Sequence, residues 1–593
     1  MTPWLIFVGL VIGTIQPHEP ESLPPLRSVD GPWTIEEIWS GYDPRKEPLE
    51  AETIKEWEDG EIVCRIVRFR VGIFKGKKSL VGGLLAFPRG ASGLPGLVQV
   101  HGGGQSANLN AATTNSRRGY ACLSLNWGGN RLNDGQYRPL WENPVTDWGA
   151  VDATHPPQRD PVNHFAVLTP NEFTLDAFES PRNSAWLLVA IAVRRALTFL
   201  EQLPQVDGGK LGVYGHSMGA KLTVMVAAVD ERVKAAVPSC GGISDYPSEP
   251  HFENSKYCRR LNCPVLFLAP VNDFYGRVDD LNQAAAALPD SSFRFVCAPN
   301  LDHRDKPDHF VCGPLWFDAQ LRGMDALPRT PAVVLDLDSP RRVPRMKITV
   351  DESRPIRSAD VYFTQQTRDP KNTNPYWHWV PASRVGNGWE AELPLWTLDR
   401  PLRAYANVTY ELGQSISGAG YYYGLYTSDA FTLSSPLQNA SVERLGDSGV
   451  MASDLPSRVI EPFEAGWQRG WYVFNENGSW PYRTNRVRDP KWAAPPGAKL
   501  VLEVQSPVDG RLVLAFDQFA AECQLAGGSD WQVITLACSD FHDAVDRPLD
   551  DWTTVSEFII ADKLSLKSGD TTRMVGADWT GDLPRFRQLR WEP

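Results

Sequence analysis

A serine bracketed by glycines, Gly215-His216-Ser217-Met218-Gly219, directly follows an apolar strand-like run ending at Tyr214 and directly precedes an apolar helix-like run, Ala220 to Val229. That order of strand, tight turn and helix restricts the fold more than any other feature of the chain. The turn holds the serine in strained backbone geometry, and the flanking glycines let neighbouring backbone pass close, so the hydroxyl projects above the edge of a sheet. A hydroxyl presented in this way suits a nucleophile. The alternative is a glycine-rich strand-to-helix turn without a chemical role.

The surroundings agree with a sheet. From about Glu61 to Pro328, short apolar strands alternate with longer amphipathic segments, which predicts a mostly parallel sheet flanked by helices, the α/β class. The strands are expected at Leu97–Val100, Ala121–Leu125, Lys210–Tyr214, Ala235–Val237, Val265–Leu268 and Phe293–Val296. Between them, Trp186, Val189, Ala190, Val193, Leu197 and Leu200 recur at helical spacing, with Arg194, Arg195 and Glu201 off that stripe. Pro204 ends this helix, and Asp207-Gly-Gly turns the chain into the next strand. The aperiodic stretch from Gly128 to Pro181, rich in Trp, Pro, Asn and Asp, is long for a loop, and loops of that length are usually functional. It is expected either to roof the site or to be a surface insertion.

At 593 residues the chain is too long for one core, since domains close at roughly 100–250 residues. After Pro328 short strand-like segments and turns replace the alternation. The expected organisation is a leader over 1–18, the α/β domain over 19–329, an Ig-like β-sandwich over 330–440, a linker near 434–455 and a jelly-roll domain over 450–593. Net charge is −12, without a basic block, which argues against nucleic acid as a partner. The apolar run Trp4–Ile12 is too short to span a bilayer and reads as the core of an export signal, making the protein secreted or periplasmic. No Lys or Arg precedes the run, and the alternative is an N-terminal strand or tail. The nine cysteines include no C-x-x-C pair; Cys258 with Cys263, or Cys523 with Cys538, are the spacings open to disulfides.

Serine at neutral pH needs a base to take its proton, and the base needs a carboxylate to fix its tautomer. In this class of sheet both follow the serine, acid first. Asp273, just after the strand at 265–268, and His303, just past the strand at 293–296, fit that order. Asp245 and His309 are the rivals. Donors for a developing oxyanion are expected from the Met218 backbone N–H and from Gly103 or Gly104 in His101-Gly-Gly-Gly104, with His101 structural. No metal and no cofactor are called for.

These residues, with Val213-Tyr-Gly-His-Ser-Met-Gly, Val237-Pro-Ser-Cys-Gly-Gly and Asn272-Asp-Phe-Tyr-Gly, resemble the acetyl xylan esterase and dienelactone hydrolase branch of the α/β-hydrolases over about 60–325. The resemblance implies a triad of Ser217, Asp273 and His303 acting on acylated carbohydrates or other small esters through an acyl-enzyme. Ala220 departs from the pattern, standing where many relatives carry Gly. The final module, through Trp531–Leu536 and Leu549–Trp552, is similar to jelly-roll carbohydrate-binding domains, and Trp467, Trp471 and Trp480 are either sugar-stacking faces or core. Competing readings are a peptidase similar to prolyl oligopeptidases, although no blade-length repeat precedes residue 60, and an inactive carbohydrate-binding protein. None of the readings calls for a membrane partner.

Overall fold

The computed structural model describes residues 20–593 except 27, 32, 130–131, 133–144, 155–164, 166–167, 246–250, 287, 289–291, 368–373, 421–422 and 474–479. The leader expected over 1–18 lies outside the described residues, as does much of the 128–180 stretch. No helix among the described residues is long and apolar enough to cross a membrane.

The first region is a mixed, mostly parallel sheet. Strands β1 (Glu52–Asp59), β2 (Ile62–Phe74) and β3 (Lys77–Pro88) pair antiparallel. The β2–β3 turn passes through Lys75 and Gly76, both at positive φ, which matches the twist of a tight hairpin. There follow β4 (Leu94–Val100), β5 (Ala121–Asn126), β6 (Val206–His216), β7 (Val233–Ser239), β8 (Val265–Leu268) and β9 (Phe293–Val296). The spatial order is β1-β2-β3-β5-β4-β6-β7-β8-β9, and every pair from β5 to β9 is parallel. All six strands expected from the sequence are present. The order reverses at β4, so the loops after β4 and β6 open a crevice at the carboxyl ends of the strands, where open α/β sheets bind ligands.

The helices are α1 (Ile35–Trp39), α2 (Leu109–Arg117), α3 (Ala185–Glu201), α4 (Met218–Ala227), α5 (Asn254–Cys258), α6 (Val278–Ala285), α7 (Pro307–Phe310) and α8 (Cys312–Arg322). Alternate residues of β4 serve opposite faces: Val98 and Val100 join the core under α3 and α4, and Leu97 joins the core under α8. Helix α3 starts at Ser184, whose hydroxyl accepts from the Trp186 N–H. Every residue from Ala185 to Leu200 is buried; each large aliphatic among them contributes roughly 1.5–3 kcal/mol. Arg194 and Arg195, off the apolar stripe in the sequence, are buried too. Arg194 pairs with Asp230 at 3.1 Å and lies over the Trp39 and Tyr42 rings, and the Arg195 guanidinium donates to the carbonyls of Glu47, Pro48 and Arg70 at 2.9–3.0 Å.

The second region holds β10 (Ala332–Asp336), β11 (Arg345–Thr349), β12 (Ile356–Thr364), β13 (His378–Pro381), β14 (Ser383–Val385), β15 (Gly388–Glu392), β16 (Leu402–Ala419), β17 (Leu425–Ser434) and β18 (Gln438–Ala440). One sheet runs β10-β11-β15-β14. The other, β17-β16-β12-β13, continues the first region's sheet: Ser434 of β17 pairs with Phe295 of β9, and Ser434 Oγ accepts from the Cys297 N–H at 2.7 Å. Where a linker was expected near 434–455 the chain forms β18 and a helix, α9 (Val442–Asp447). The Ser441 side chain caps that helix and Leu445 anchors it in the core.

The third region is a pair of antiparallel sheets of four and five strands plus a two-stranded hairpin. Leu500, Leu502 and Val504 meet Leu512, Leu514, Phe516, Phe558 and Trp591 between them. Trp471 and Trp480 belong to that core, and Trp467 packs against Phe463, Trp471 and Tyr482, so core packing accounts for all three indoles. All nine cysteines are free; neither spacing open to a disulfide is bonded.

Candidate active site

Ser217 sits between β6 and α4 with φ 59° and ψ −120°, a strained conformation for a residue with a side chain. Its N–H donates to the Ser239 carbonyl at 2.8 Å, tying the turn to the end of β7. The flanking glycines are obligatory. A Cβ on Gly219 would stand 2.0 Å from the Val100 carbonyl oxygen, and one on Gly215 would stand 2.5 Å from the same atom. Ala220, the departure from the family pattern, is buried at the start of α4.

Asp273 follows β8 and is fully buried. Its Oδ1 accepts from the Tyr275 and Gly276 N–H groups at 2.7 and 3.1 Å and lies 3.0 Å from His303 Nδ1. Burial alone would push this carboxyl up. The charge and hydrogen bond of His303, with the two amide donors, outweigh burial and hold it below the usual carboxylate range. His303 keeps 16% of its side chain exposed, enough for approach from solvent. Its ring centroid lies 4.5 Å from that of Phe274 and 4.8 Å from that of His216.

The rivals stand elsewhere. Asp245 is exposed and accepts from the Ser255 N–H at 2.9 Å. His309 is buried in α7, its Nδ1 3.1 Å from its own neighbour Asp308. Asp302, beside His303, lies 3.4 Å from Arg304 Nε.

Met218 is the first residue of α4, where backbone N–H groups have no acceptor within the helix. Of the glycine run, Gly102 borders the serine: a Cβ on it would lie 3.2 Å from Ser217 Cβ. Gly103 is half-buried, and Gly104, at φ 68°, is exposed with open space around it. The Gly102 N–H donates to Gln105 Oε1 at 3.1 Å. His101 stacks on Trp127 at 4.6 Å, its Nδ1 lies 2.8 Å from the Gly102 carbonyl, and its Nε2 accepts from the Gly128 N–H.

The sequence reading missed the layer beneath the serine. His216 Nδ1 lies 3.3 Å from Ser239 Oγ, and that hydroxyl donates to Asp305 Oδ2 at 2.9 Å. Burial, reinforced by the neighbouring His303, pushes His216 down to about 3, so its ring is neutral. Burial pushes Asp305 up to about 6 against its Ser239 hydrogen bond. A cavity of about 60 Å³ opens beside these groups, lined in part by Tyr214, His216, Asp305, Phe310 and Tyr423. The ligating atoms of His216, Cys240 and His303 lie within 4.8 Å of one another, donor types that suit zinc. Burial holds the Cys240 thiol well above its ordinary value, and His303 Nδ1 already faces Asp273, so a metal would compete with both arrangements.

Asp305 carries a stability prediction. Its folded value, about 6, lies above the unfolded value of about 3.9, so the folded chain holds the extra proton across that window. Stability therefore falls as pH rises from about 4 to 6, by an amount on the order of 3 kcal/mol. Asp305→Asn keeps an acceptor for Ser239 and removes the titration. Urea unfolding at pH 4.5 and 7.5 should show the variant gaining on the parent chain at the higher pH; identical pH dependence in the two would refute the assignment.

Comparison with known proteins adds the following. A stretch covering 14% of this chain is 30% identical to the acetyl esterase Axe7A of Xylanibacter ruminicola and spans a quarter of that protein's length, 25%. The acetyl xylan esterase of Paenibacillus sp. R4 is 18% identical, with 47% of this chain and 91% of that one covered at a TM-score of 0.36. Acetyl xylan esterase 1 of Thermoanaerobacterium sp. JW/SL YS485 is 16% identical, with 50% and 98% covered at a TM-score of 0.38. Residues 178–303, the stretch that contains Ser217, Asp273 and His303, match the dienelactone hydrolase family.

Proposed function

We propose that this chain is a serine carboxylesterase that removes acetyl groups from carbohydrate esters through an acyl-enzyme. The reading is supported by Ser217 strained on the turn after β6 and by His303, steadied by buried Asp273 at 3.0 Å, whose ring lies 4.8 Å from that of His216, the residue before the serine. His303 Nε2 takes the Ser217 proton as Oγ forms a bond to the ester carbonyl carbon, and the carbonyl electrons move onto oxygen. The Met218 N–H and a glycine-run N–H, from Gly103 or Gly104, receive that oxyanion. Collapse expels the alcohol, which leaves with the proton from His303. Water, deprotonated by the same ring, then releases the acid and regenerates the serine.

The match to an acetyl esterase over a 30% identical stretch supports acetyl as the acyl group. Phe274, 49% exposed and 4.5 Å from the His303 ring, offers an apolar face for a sugar ring beside the base. We also propose export of the chain, on the apolar run at residues 4–12.

A fluorophosphonate probe tests the chemistry and a substrate panel tests the class. Labelling should map to Ser217, and acetylated xylan and 4-nitrophenyl acetate should be deacetylated while short peptides stay intact. Absence of labelling on folded protein would overturn the enzymatic reading, and faster cleavage of peptides would overturn the esterase one.

A further inference from the structure

The loops that carry the proposed acid and base both bond to Trp377 of the second region. Asn272, immediately before Asp273, accepts from the Trp377 indole N–H at 3.1 Å and donates to the Pro375 carbonyl at 3.0 Å. Asn300, three residues before His303, accepts from the Trp377 backbone N–H at 2.8 Å and donates to the Trp377 carbonyl at 3.1 Å. Trp377 is itself immobilised. It is fully buried, edge-on to Tyr405 and beneath the Arg403 guanidinium. Asn300 holds φ 56°, a conformation that asparagine tolerates better than most residues.

The glycine loop is fastened too. Between β16 and β17, Tyr423 donates its hydroxyl to Gln105 Oε1 at 3.0 Å, the oxygen that also accepts from the Gly102 N–H. The Tyr423 carbonyl accepts from Asn110 Nδ2 at 3.2 Å. A tyrosine at φ 61° costs of order 1 kcal/mol or more, and such a conformation persists only where its surroundings enforce it. Gly102 in turn borders Ser217.

We propose that Trp377 and Tyr423 are positioning residues of the ester-cleaving site, Trp377 setting the separation of the acid and base loops and Tyr423 setting the glycine loop against the serine. The second region is then a working part of the catalytic apparatus, although it lies outside the stretch that matches the hydrolase family. The inference rests on the triad reading above. Its physical basis is the steep dependence of rate on geometry, since a displacement of about 1 Å costs about a hundredfold. Neither side chain needs to touch substrate.

The full chain should be tested. Tyr423→Phe removes one hydroxyl and should lower kcat about tenfold, with KM within about twofold and an unchanged melting temperature. Gln105→Ala should lose a similar factor, and the double variant should lose no more than the worse single one, because the two act through one link. Trp377→Phe and its partner Asn272→Ala should each slow fluorophosphonate acylation of Ser217 about tenfold, again without compounding. If the folded Tyr423→Phe and Asn272→Ala chains keep their rates within about twofold, or if paired losses multiply, the positioning roles are wrong while the triad stands. Ester turnover that survives Ser217→Ala would overturn the triad reading, and the inference with it.

Discussion

Replacing Ser217 with alanine should lower kcat about 10⁵–10⁶-fold, leaving the fold and its thermal midpoint nearly unchanged. Hydrolases of this design lose about that much when the nucleophile alone is removed, because base and carboxylate have nothing left to activate. The backbone at this residue sharpens the test. With φ 59° and ψ −120°, the position suits glycine better than any residue bearing a Cβ. Ser217→Gly should therefore be equally inactive and more stable, by about 1 kcal/mol or a few degrees in Tm. Kinetics on 4-nitrophenyl acetate with scanning calorimetry separates the two effects. Substantial residual turnover in either variant would move the chemistry to another residue.

Asp273→Asn should cost about 10⁴ in kcat, whereas His309→Gln and Asp245→Ala should change it by no more than about twofold. Asparagine can still accept from the Tyr275 and Gly276 amides, so the loop is expected to hold. What disappears is the charge that stabilises His303 as it takes the serine proton. The contrast with the rivals follows from position: Asp245 is exposed and caps Ser255, and His309 faces its own neighbour Asp308. A large loss in His309→Gln with Asp273→Asn active would exchange the assignments.

Much of the first region was legible because its strands are short apolar runs closed by turn residues. Strands β8 and β9 begin and end where the expected runs do. The serine turn was legible for a stronger reason, since two glycines that admit no Cβ mark a backbone conformation as well as a composition. Strand β1 was missed: Glu52–Asp59 is largely exposed and charged, and so resembles a surface loop. The burial of Arg195 was invisible because carbonyls at 47, 48 and 70 accept from a guanidinium far along the chain. Helix α9 was hidden by its brevity, six residues behind a serine cap. The least legible element was the support of the site. Asn272 and Trp377 are 105 residues apart and Gln105 and Tyr423 are 318 apart, and no local pattern encodes such pairs.

The pairing of Ser434 with Phe295 bears on how a chain like this is inherited. Strand β9 is four buried residues, three of them apolar, at the margin of the parallel sheet, and β17 occupies its outer side. A gene shortened to encode only the residues before 330 would leave that margin bare, and uncovered strand margins recruit other polypeptides into aggregates.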